Sequence, residues 1–251
     1  MKNILVTNDD GVHSEGLRLL AESVAHLGLV TIVAPTQEAS AIGHALTLRR
    51  PLRLETFGPR IFAVDGTPTD CVNVAITHVL EAKPDLILSG INKGWNLGDD
   101  VTYSGTVSGA LEGALLGIPS IAISTQRLGD DFDFRPSADA AARVAELVLD
   151  RGLPKFTLLN INTPKGPIKG FRVTVQAKRN HITVVNKRVD PRSQAYFWIE
   201  EGQNEWEPHD RSDYQAVRDG FASITPLQPD MTAYDAMAFV EELTLNQVST
   251  S

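Results

Sequence analysis

Two adjacent carboxylates, Asp9 and Asp10, follow a short run of four apolar or β-prone residues at 4–7, with only Asn8 between. The run has the length and composition of a buried parallel strand, and open α/β sheets bind ligands outside the carboxyl ends of such strands. Two like charges side by side repel each other, and a divalent cation is the usual reason for a protein to keep them together. The alternative is a turn without a ligand, because asparagine, aspartate and glycine, the residue types at positions 8–11, all favour turns.

A second candidate lies at Ser104, Gly105 and Thr106, in front of a small-residue helix predicted over residues 107–116. Backbone N–H groups are free at a helix N-terminus and the helix dipole is positive there, so a glycine flanked by two hydroxyls favours an anion such as phosphate. A simple N-cap is the commoner explanation of so short a string. Glu112, further along the helix, is predicted to be a solvated or capping charge, with a supporting role near the site as the alternative.

Further polar residues follow two other predicted strands. A loop at residues 36–44 carries Ser40 and His44, and a long loop after residue 90 carries Asn92 and Asn96. With the two aspartates these side chains form an oxygen-rich set that suits Mg²⁺ or Mn²⁺ and not zinc. A hard cation beside an anion site predicts phosphoryl chemistry, in which the metal polarises the phosphoryl oxygen and activates water. His44 is a candidate acid or substrate contact, although a lone histidine in a polar loop is more often only exposed.

Several other chemistries are not indicated. Neither a P-loop nor a Gly-x-Gly-x-x-Gly string follows the first predicted strand, and the sequence has no Gly-x-Ser-x-Gly elbow. The aspartates are adjacent and not two apart, so a covalent aspartyl-phosphate is not expected.

The elements that must position these residues alternate between strand and helix, which predicts an α/β fold with a Rossmann-like, mostly parallel sheet sandwiched by helices. A hairpin-like insertion is predicted over residues 46–64. Strands are predicted over residues 4–7, 30–34, 84–90, 120–124 and 157–162, and helices over 14–27, 67–81, 107–116 and 137–149.

After residue 165 the alternation stops, so we predict a catalytic core at 1–165 and a β-rich C-terminal region at 166–251. Antiparallel strands are expected over 171–178 and 182–187, with further strands over 196–199 and 221–225. A short helix is expected over 214–218, and a tail helix over 233–245 that packs back on the core. The aromatic residues Tyr196, Phe197, Trp198 and Trp206 would leave an apolar patch on a single chain. We therefore expect a homo-oligomer with a two-fold axis through this region.

Composition limits the other possibilities. A net charge of −8 over 251 residues argues against a stable nucleic-acid complex, which would need Lys and Arg to neutralise phosphates. Cys71 is the only cysteine, so one chain can form neither a disulfide nor a thiolate metal cluster. No apolar run reaches the ~18 residues of a membrane helix, and residues 1–3 lead into the first strand without a secretory signal. We expect a cytoplasmic protein without a membrane partner.

Several strings taken together resemble the SurE survival-protein family of nucleotide phosphatases. They are Val-Thr-Asn-Asp-Asp-Gly at 6–11, Val-Ala-Pro at 33–35 followed by Ser40, Gly-Thr-Pro-Thr-Asp-Cys-Val at 66–72, Ser-Gly-Ile-Asn at 89–92, and Tyr-Ser-Gly-Thr-Val-Ser-Gly-Ala at 103–110. The resemblance is dense over roughly the first 125 residues and resumes at Ser-Ile-Thr-Pro-Leu, 223–227.

The resemblance implies a metal-dependent phosphomonoesterase for nucleoside 5′-monophosphates, often also 3′-monophosphates and sometimes short polyphosphate. It implies a homodimer or homotetramer that exchanges C-terminal elements. Trp95 departs from the family pattern, which often has proline there, and this difference removes no ligand. The implied metal ligands are Asp9, Asp10, Ser40 and Asn92, and the implied phosphate-proximal residues are Asn96, Ser104, Gly105 and Thr106.

The mechanism predicted from these residues is hydrolysis by a water held on the metal, with Asp9 or Asp10 assisting proton removal. Two alternatives stay open at this point. One is a non-catalytic nucleotide or phosphate sensor that uses the same crevice, and the other is a hydrolase for phosphorylated small molecules other than nucleotides.

Overall fold

The computed structural model describes residues 1–127, 129, 132–180, 183–201 and 205–245. Its strands are β1 (Lys2–Thr7), β2 (Gly28–Pro35), β3 (Leu54–Gly58), β4 (Ile61–Val64), β5 (Leu86–Lys93), β6 (Ser120–Thr125), β7 (Leu158–Thr163), β8 (Phe171–Val173), β9 (Arg179–Asn180), β10 (Thr183–Val189), β11 (Ala195–Glu201), β12 (Glu205–Trp206) and β13 (Ala222–Leu227). Its α-helices are α1 (Glu15–Val24), α2 (Pro68–Val74), α3 (Gly105–Leu115), α4 (Arg135–Arg151), α5 (Asp213–Arg218) and α6 (Met237–Leu245). A π-helical turn, Ala75–Val79, continues α2, and 3₁₀ turns cover Gly98–Thr102 and Tyr234–Ala236.

Nine strands form one sheet in the order β3-β4-β2-β1-β5-β6-β7-β13-β8. Six consecutive strands of this sheet run parallel to one another: β4, β2, β1, β5, β6 and β7. Strand β1 therefore lies near the middle, between β2 and β5, and its carboxyl end opens between two other strand ends. The predicted α/β class and mostly parallel sheet are confirmed.

Helices cover both faces of the sheet. Ile4 and Val6 of β1 pack in a core cluster with residues of α1 and α4, whereas Leu5 packs in a second cluster that includes Cys71 and Val72 of α2. A third cluster joins α3 to the sheet. Alternate residues of β1 thus face opposite helical layers, which explains why the run is apolar throughout.

The helix starts follow the predicted chemistry. Thr67 caps α2 in a reciprocal capping box with Asp70, and Pro68 occupies the first turn. Ser104 caps α3 by accepting the N–H of Val107 at 3.1 Å. Helix α2 therefore begins as predicted, whereas α3 begins at Gly105, two residues before the predicted start, with Ser104 as the N-cap that the sequence offered as the alternative to an anion site.

The insertion at residues 46–64 is smaller than predicted. Only β3 and β4 form a hairpin, and β4 then pairs in parallel with β2 and extends the main sheet. Strand β5 is longer than predicted and runs to Lys93, with a register shift against β6 between Ser89 and Asn92.

The C-terminal pairing also differs from the prediction. Strand β8 ends at Val173 and pairs in parallel with β13, while β10 pairs with β11. The predicted pairing of 171–178 with 182–187 is therefore wrong. Residue 182 lies outside the described residues. Because β13 and β8 belong to the main sheet, that sheet continues past residue 165. The division of the chain at this residue stays a prediction.

The tail helix α6 does not show the expected packing on the core in the single chain. Met237, Phe239, Val240 and Leu243 are 49%, 63%, 51% and 54% exposed. No described side chain of the β10–β11 hairpin is buried, and Phe197 and Ile199 are 61% and 77% exposed. Trp206 does not join this exposed patch, because it stacks on Tyr214 with ring centroids 4.4 Å apart.

Candidate functional site

Asp9 and Asp10 lie directly beyond the carboxyl end of β1, as predicted. Asp9 is 4% exposed and Asp10 is half-buried. The loop after β2 contacts Asp9, because the N–H of Ala39 donates to the Asp9 carbonyl at 2.8 Å. The end of β5 contacts Asp10, whose carboxylate accepts a hydrogen bond from the backbone N–H of Lys93. Three strand ends thus meet around the two aspartates.

The N-terminus of α3 packs against Asp9. The carboxylate accepts hydrogen bonds from the hydroxyl and from the backbone N–H of Thr106. A Cβ on Gly105 would lie 2.8 Å from the Asp9 Cβ and 2.9 Å from Oδ2. Only glycine therefore fits at residue 105 without displacing Asp9, and the anion held at this helix start is the Asp9 carboxylate itself.

Both aspartates bind protons more readily than an exposed carboxyl group. Burial raises the pKa of Asp9, against the lowering effect of its bonds from Thr106. Burial, followed by the charge of Asp9, raises the pKa of Asp10 to about 6, against the lowering effect of Lys93. Glu38 in the β2 loop also raises the pKa of both groups. The pair is therefore short of positive charge, which is the environment a divalent cation would relieve.

Unpaired oxygens mark the same place. Among the described residues, Oδ2 of Asp10 and Oδ1 of Asn8 are buried without a hydrogen-bond partner. No three His, Cys, Asp or Glu side chains in the described part of the chain come together as a metal site. A cation here would thus be shared by two carboxylates and neutral oxygens, a donor set that fits Mg²⁺ or Mn²⁺.

Ser40 and Asn92 lie in the two loops that contact the aspartates. Ser40 is exposed, and its hydroxyl donates to Oε1 of Glu38 at 2.7 Å. The side-chain amide nitrogen of Asn92 donates to the Gly94 carbonyl at 3.0 Å, so Oδ1 is its atom that can ligate a cation. Ser40 follows Ala39 in the sequence, and Asn92 precedes Lys93. Ala39 bonds to Asp9 and Lys93 bonds to Asp10.

Asn96 is buried in an amide network at the ends of β6 and β7. Its Nδ2 donates to Oγ of Ser124 at 2.8 Å, and its N–H donates to Oδ1 of Asn162 at 2.8 Å. Asn160 and Asn162 both donate to its carbonyl. The network fixes the chain at residue 96, and Trp95 adds a bond from its indole N–H to the Thr163 carbonyl at 2.7 Å.

The family model described as "Survival protein SurE" matches residues 4–183 of the chain. The chain belongs to the SurE family.

Relatives within the family match almost the whole chain. A "5'-nucleotidase SurE" from Syntrophotalea carbinolica is 49% identical over 234 residues, covering 92% of this chain and 93% of the relative. A "5'-nucleotidase SurE" from Geobacter sulfurreducens is 48% identical over 247 residues, covering 97% and 94%. The crystal structure of the SurE protein from Aquifex aeolicus superimposes with a TM-score of 0.86 at 42% identity, covering 96% of this chain and 99% of that chain. Among the described residues, no helix is both long and apolar enough to span a membrane.

His44 lies in a polar network that the sequence does not reveal. Its Nε2 bonds to Oε2 of Glu112 at 2.7 Å, and Nδ2 of Asn73 donates to Oε1 of Glu112 at 2.7 Å. Glu112 is 8% exposed, so it is not a solvated charge. The bond from His44 and that from Asn73 lower the pKa of Glu112, against the raising effect of burial. His44 is thus held in place from α2 and α3.

Sequence reasoning missed Glu38 and Lys93, which act electrostatically on the aspartates. Lys93 directly follows Asn92 at a strand end, and Glu38 lies two residues before Ser40 in a loop already assigned to the site. A charged residue in a loop that was already predicted to contact the aspartates was the signal that could have identified both. The partners of Glu112 gave no such signal, because they come from separate elements.

Proposed function

We propose that this protein is a metal-dependent phosphomonoesterase that hydrolyses nucleoside 5′-monophosphates to nucleoside and inorganic phosphate, that is, a 5′-nucleotidase. The observation that carries the proposal is the contact between the aspartate pair and the start of α3, with Gly105 against Asp9. It would place a cation and a phosphate side by side. The names of the relatives from Syntrophotalea carbinolica and Geobacter sulfurreducens support the nucleotide substrate.

In this proposal Asp9, Asp10, Ser40 and Asn92 hold the divalent cation. The cation, Mn²⁺ or Mg²⁺, supplies polarisation of the phosphoryl oxygen and a more acidic water. Asp9 or Asp10 accepts the proton from the attacking water.

The substrate phosphate binds beside Asp9, against Ser104 and Gly105, while Thr106, whose hydroxyl and N–H both bond to Asp9, holds that carboxylate next to the phosphate. Asn96, fixed by Ser124 and Asn162, supports this position. His44 contacts the substrate from the opposite loop, with its ring oriented by Glu112. Nucleoside 3′-monophosphates and short polyphosphate carry the same terminal phosphate and belong to the proposed substrate range.

We further propose that the protein works as a homodimer or homotetramer in the cytoplasm, formed through the region after residue 165. The exposed apolar side chains of the β10–β11 hairpin and of α6 support an assembly, because a lone chain would leave both in water. In this proposal the assembly contact lies in the predicted C-terminal region, 166–251. The single, buried Cys71 is compatible with a reducing compartment.

The test is phosphate release from a panel of nucleoside 5′- and 3′-monophosphates, sugar phosphates and polyphosphate, with Mn²⁺ in excess. Nucleoside 5′-monophosphates should be the best substrates, and Asp9→Asn should lower kcat about a hundredfold or more. Asp150→Asn, the same chemical change at a side chain that is 79% exposed, is the matched control and should be neutral. Binding of nucleotide without turnover would favour a sensor, and turnover of sugar phosphates alone would favour another hydrolase.

A further inference from the structure

The 3₁₀ turn that leads into α3 is bonded to side chains from far along the chain. The N–H of Gly98 donates to Oδ2 of Asp213 at 3.0 Å, and Nε2 of Gln176 donates to the Gly98 carbonyl at 3.0 Å. Both backbone groups of Gly98 are therefore held by residues beyond position 165. Asp213 also lies outside residues 4–183, the part that the family model matches.

Asp213 divides its two oxygens between two parts of the molecule. Oδ1 accepts the N–H of Ala177 at 2.9 Å and the N–H of Tyr214 at 2.8 Å, both within the C-terminal region. Oδ2 accepts only from Gly98 among the hydrogen bonds of the described residues. The side chain is fully buried, and a buried charge is unfavourable unless hydrogen bonds compensate it. One carboxylate thus joins the C-terminal region to the loop of the site.

The two segments touch backbone to backbone at this point. A Cβ on Gly98 would lie 2.4 Å from the Ala177 carbonyl oxygen and 3.2 Å from the Trp206 ring, and its φ is +50°. Arg179 of the same C-terminal segment is bonded to Asp100 within the turn, and only 4% of its side chain is exposed. The 3₁₀ turn therefore packs closely against the C-terminal segment.

The turn connects directly to the predicted phosphate site. The Asp100 carbonyl accepts the N–H of Tyr103 at 3.0 Å and that of Ser104 at 3.1 Å. Ser104 in turn caps α3 through the N–H of Val107. Because these bonds link the short segment from Gly98 to Ser104, a displacement of Gly98 would also displace Ser104. The body of α3 is held independently, because Gly109 and Gly113 bring its backbone against the sheet.

We propose that Asp213 is a positioning residue for the phosphate-binding part of the active site. Its carboxylate fixes Gly98, and Gly98 fixes the turn that sets Ser104 and Gly105 at the start of α3. The kinetic part of this inference rests on the proposed 5′-nucleotidase function, whereas the structural part does not.

Asp213→Asn separates the two roles of the carboxylate. The amide oxygen can keep the two bonds from Ala177 and Tyr214, which leaves the NH₂ group facing the N–H of Gly98, donor against donor. Ser212→Ala is the matched control one residue away. It removes the cap that Oγ gives to the N–H of Gln215 and touches nothing on Gly98.

Two measurements on the full chain test the proposal. Hydrogen–deuterium exchange should become faster at residues 98–106 in Asp213→Asn and stay unchanged there in Ser212→Ala. With adenosine 5′-monophosphate, KM should rise about tenfold in Asp213→Asn, as expected for one lost bond to a charged group, with a smaller change in kcat. The Mn²⁺ concentration for half-maximal activity should change less than KM, because Gly109 and Gly113 still hold the body of α3 against the sheet and keep Thr106 close to Asp9.

Unchanged exchange at residues 98–106 in Asp213→Asn would overturn the proposal, whether or not the protein hydrolyses nucleotides. An equal rise in KM for Ser212→Ala would also overturn it, because the effect would then be general destabilisation. If Asp213→Asn does not fold, Gln176→Met replaces it, since Gln176 is exposed and its bond to Gly98 is removed without a change in charge. Faster exchange at residues 98–106 is again the required result. Failure of the wild-type protein to release phosphate would refute the 5′-nucleotidase function and leave the exchange test standing.

Discussion

Thr106 joins the two halves of the candidate site, because its hydroxyl and its N–H both bond to Asp9. The sequence places Thr106 with the phosphate group and Asp9 with the metal, as if the two could be changed independently. The structure makes the two residues one unit. A change at Thr106 should therefore act on the metal as well as on the substrate.

Thr106→Val keeps the shape of the side chain and removes the hydroxyl. Losing this bond takes away an interaction that favours the ionised form of Asp9, so the proton competes better with the cation. We expect the Mn²⁺ concentration for half-maximal phosphate release to rise about tenfold. Thr102→Val is the control, because its exposed hydroxyl bonds only to the Asp99 carbonyl among the described hydrogen bonds. Equal metal requirements in the two variants would contradict the link between Thr106 and Asp9.

Asp10 gives the site a pH dependence. Its pKa is raised to about 6, so below this pH the folded, metal-free protein holds a proton on the carboxylate. The contribution of Asp10 to the stability of that form is fully present below pH 3.8 and is lost as the pH rises through about 6. Metal binding has the opposite dependence, because a ligand must be deprotonated.

Titration calorimetry with Mn²⁺ between pH 5 and 8 measures this effect. We expect affinity to fall about tenfold per pH unit below 6 for each proton displaced, and to level off above it. Asp10→Asn should bind more weakly at pH 8 and lose part of the slope. An affinity that does not change between pH 5 and 7 would show that Asp10 is not a ligand.

At this scale the sequence was sufficient to place Asp9 and Asp10 at the carboxyl end of β1, because two charges just after a buried strand are a local signal. It was not sufficient for their partners. Thr106 is 97 positions from Asp9, and His44 is 68 positions from Glu112, and no spacing rule covers such distances. The role of each candidate in binding metal or phosphate stays a prediction.

At the scale of elements, α3 reaches Asp9 because one face of the helix lacks side chains. Gly105, Gly109 and Gly113 are four residues apart, so they lie on one face. A Cβ at Gly109 would lie 2.9 Å from Oγ of Ser89, and one at Gly113 would lie 2.2 Å from Oγ of Ser120 and 2.6 Å from Cδ1 of Ile87. The glycines let the helix backbone pack directly on β5 and β6.

Gly113→Ala tests this packing away from the chemistry. The added methyl group has no space, so we expect a loss of about 1–3 kcal/mol in the free energy of unfolding despite the better helix propensity of alanine. Leu115→Ala on the exposed side of the same helix should change stability by about 0.5 kcal/mol or less. Urea unfolding followed by circular dichroism measures both. A Gly113→Ala protein as stable as wild type would contradict the close approach.

Elements with a local signal were predictable up to β7, including the capped start of α2 and the strand that ends at Asp9. The sheet edge beyond β7 was not. Strand β13 lies between β7 and β8 and pairs with residues about 50 to 70 positions earlier in the chain. A short apolar segment does not indicate which distant strand it pairs with. The hydrogen bond between Asp213 and Gly98 was unpredictable for the same reason, because the two residues are far apart in the sequence.

At the scale of the whole molecule, the described residues of the β10–β11 hairpin and of α6 leave apolar side chains uncovered in a single chain. Phe197 and Ile199 lie two residues apart on one strand and so face the same side of the hairpin. Such a surface is typical of a contact with a second copy.

Light scattering at micromolar concentration should therefore show a homodimer or homotetramer. Charges at two of the exposed positions, Phe197→Glu with Ile199→Lys, should shift the protein toward monomer with little effect on the fold of the core, because the hairpin has no buried described side chain. Glu55→Lys on exposed β3, at the edge of the main sheet, is the control. A wild-type monomer would refute the proposed assembly.

The central claim is that the aspartates at the end of β1 form a metal-dependent phosphatase site, and metal restoration tests it most directly. Phosphate release from adenosine 5′-monophosphate should be absent after chelation with EDTA and should return when Mn²⁺ or Mg²⁺ is added. Asp9→Asn should not recover at any metal concentration that restores the wild type. Full activity in a verified metal-free preparation, or full recovery of Asp9→Asn, would contradict the account.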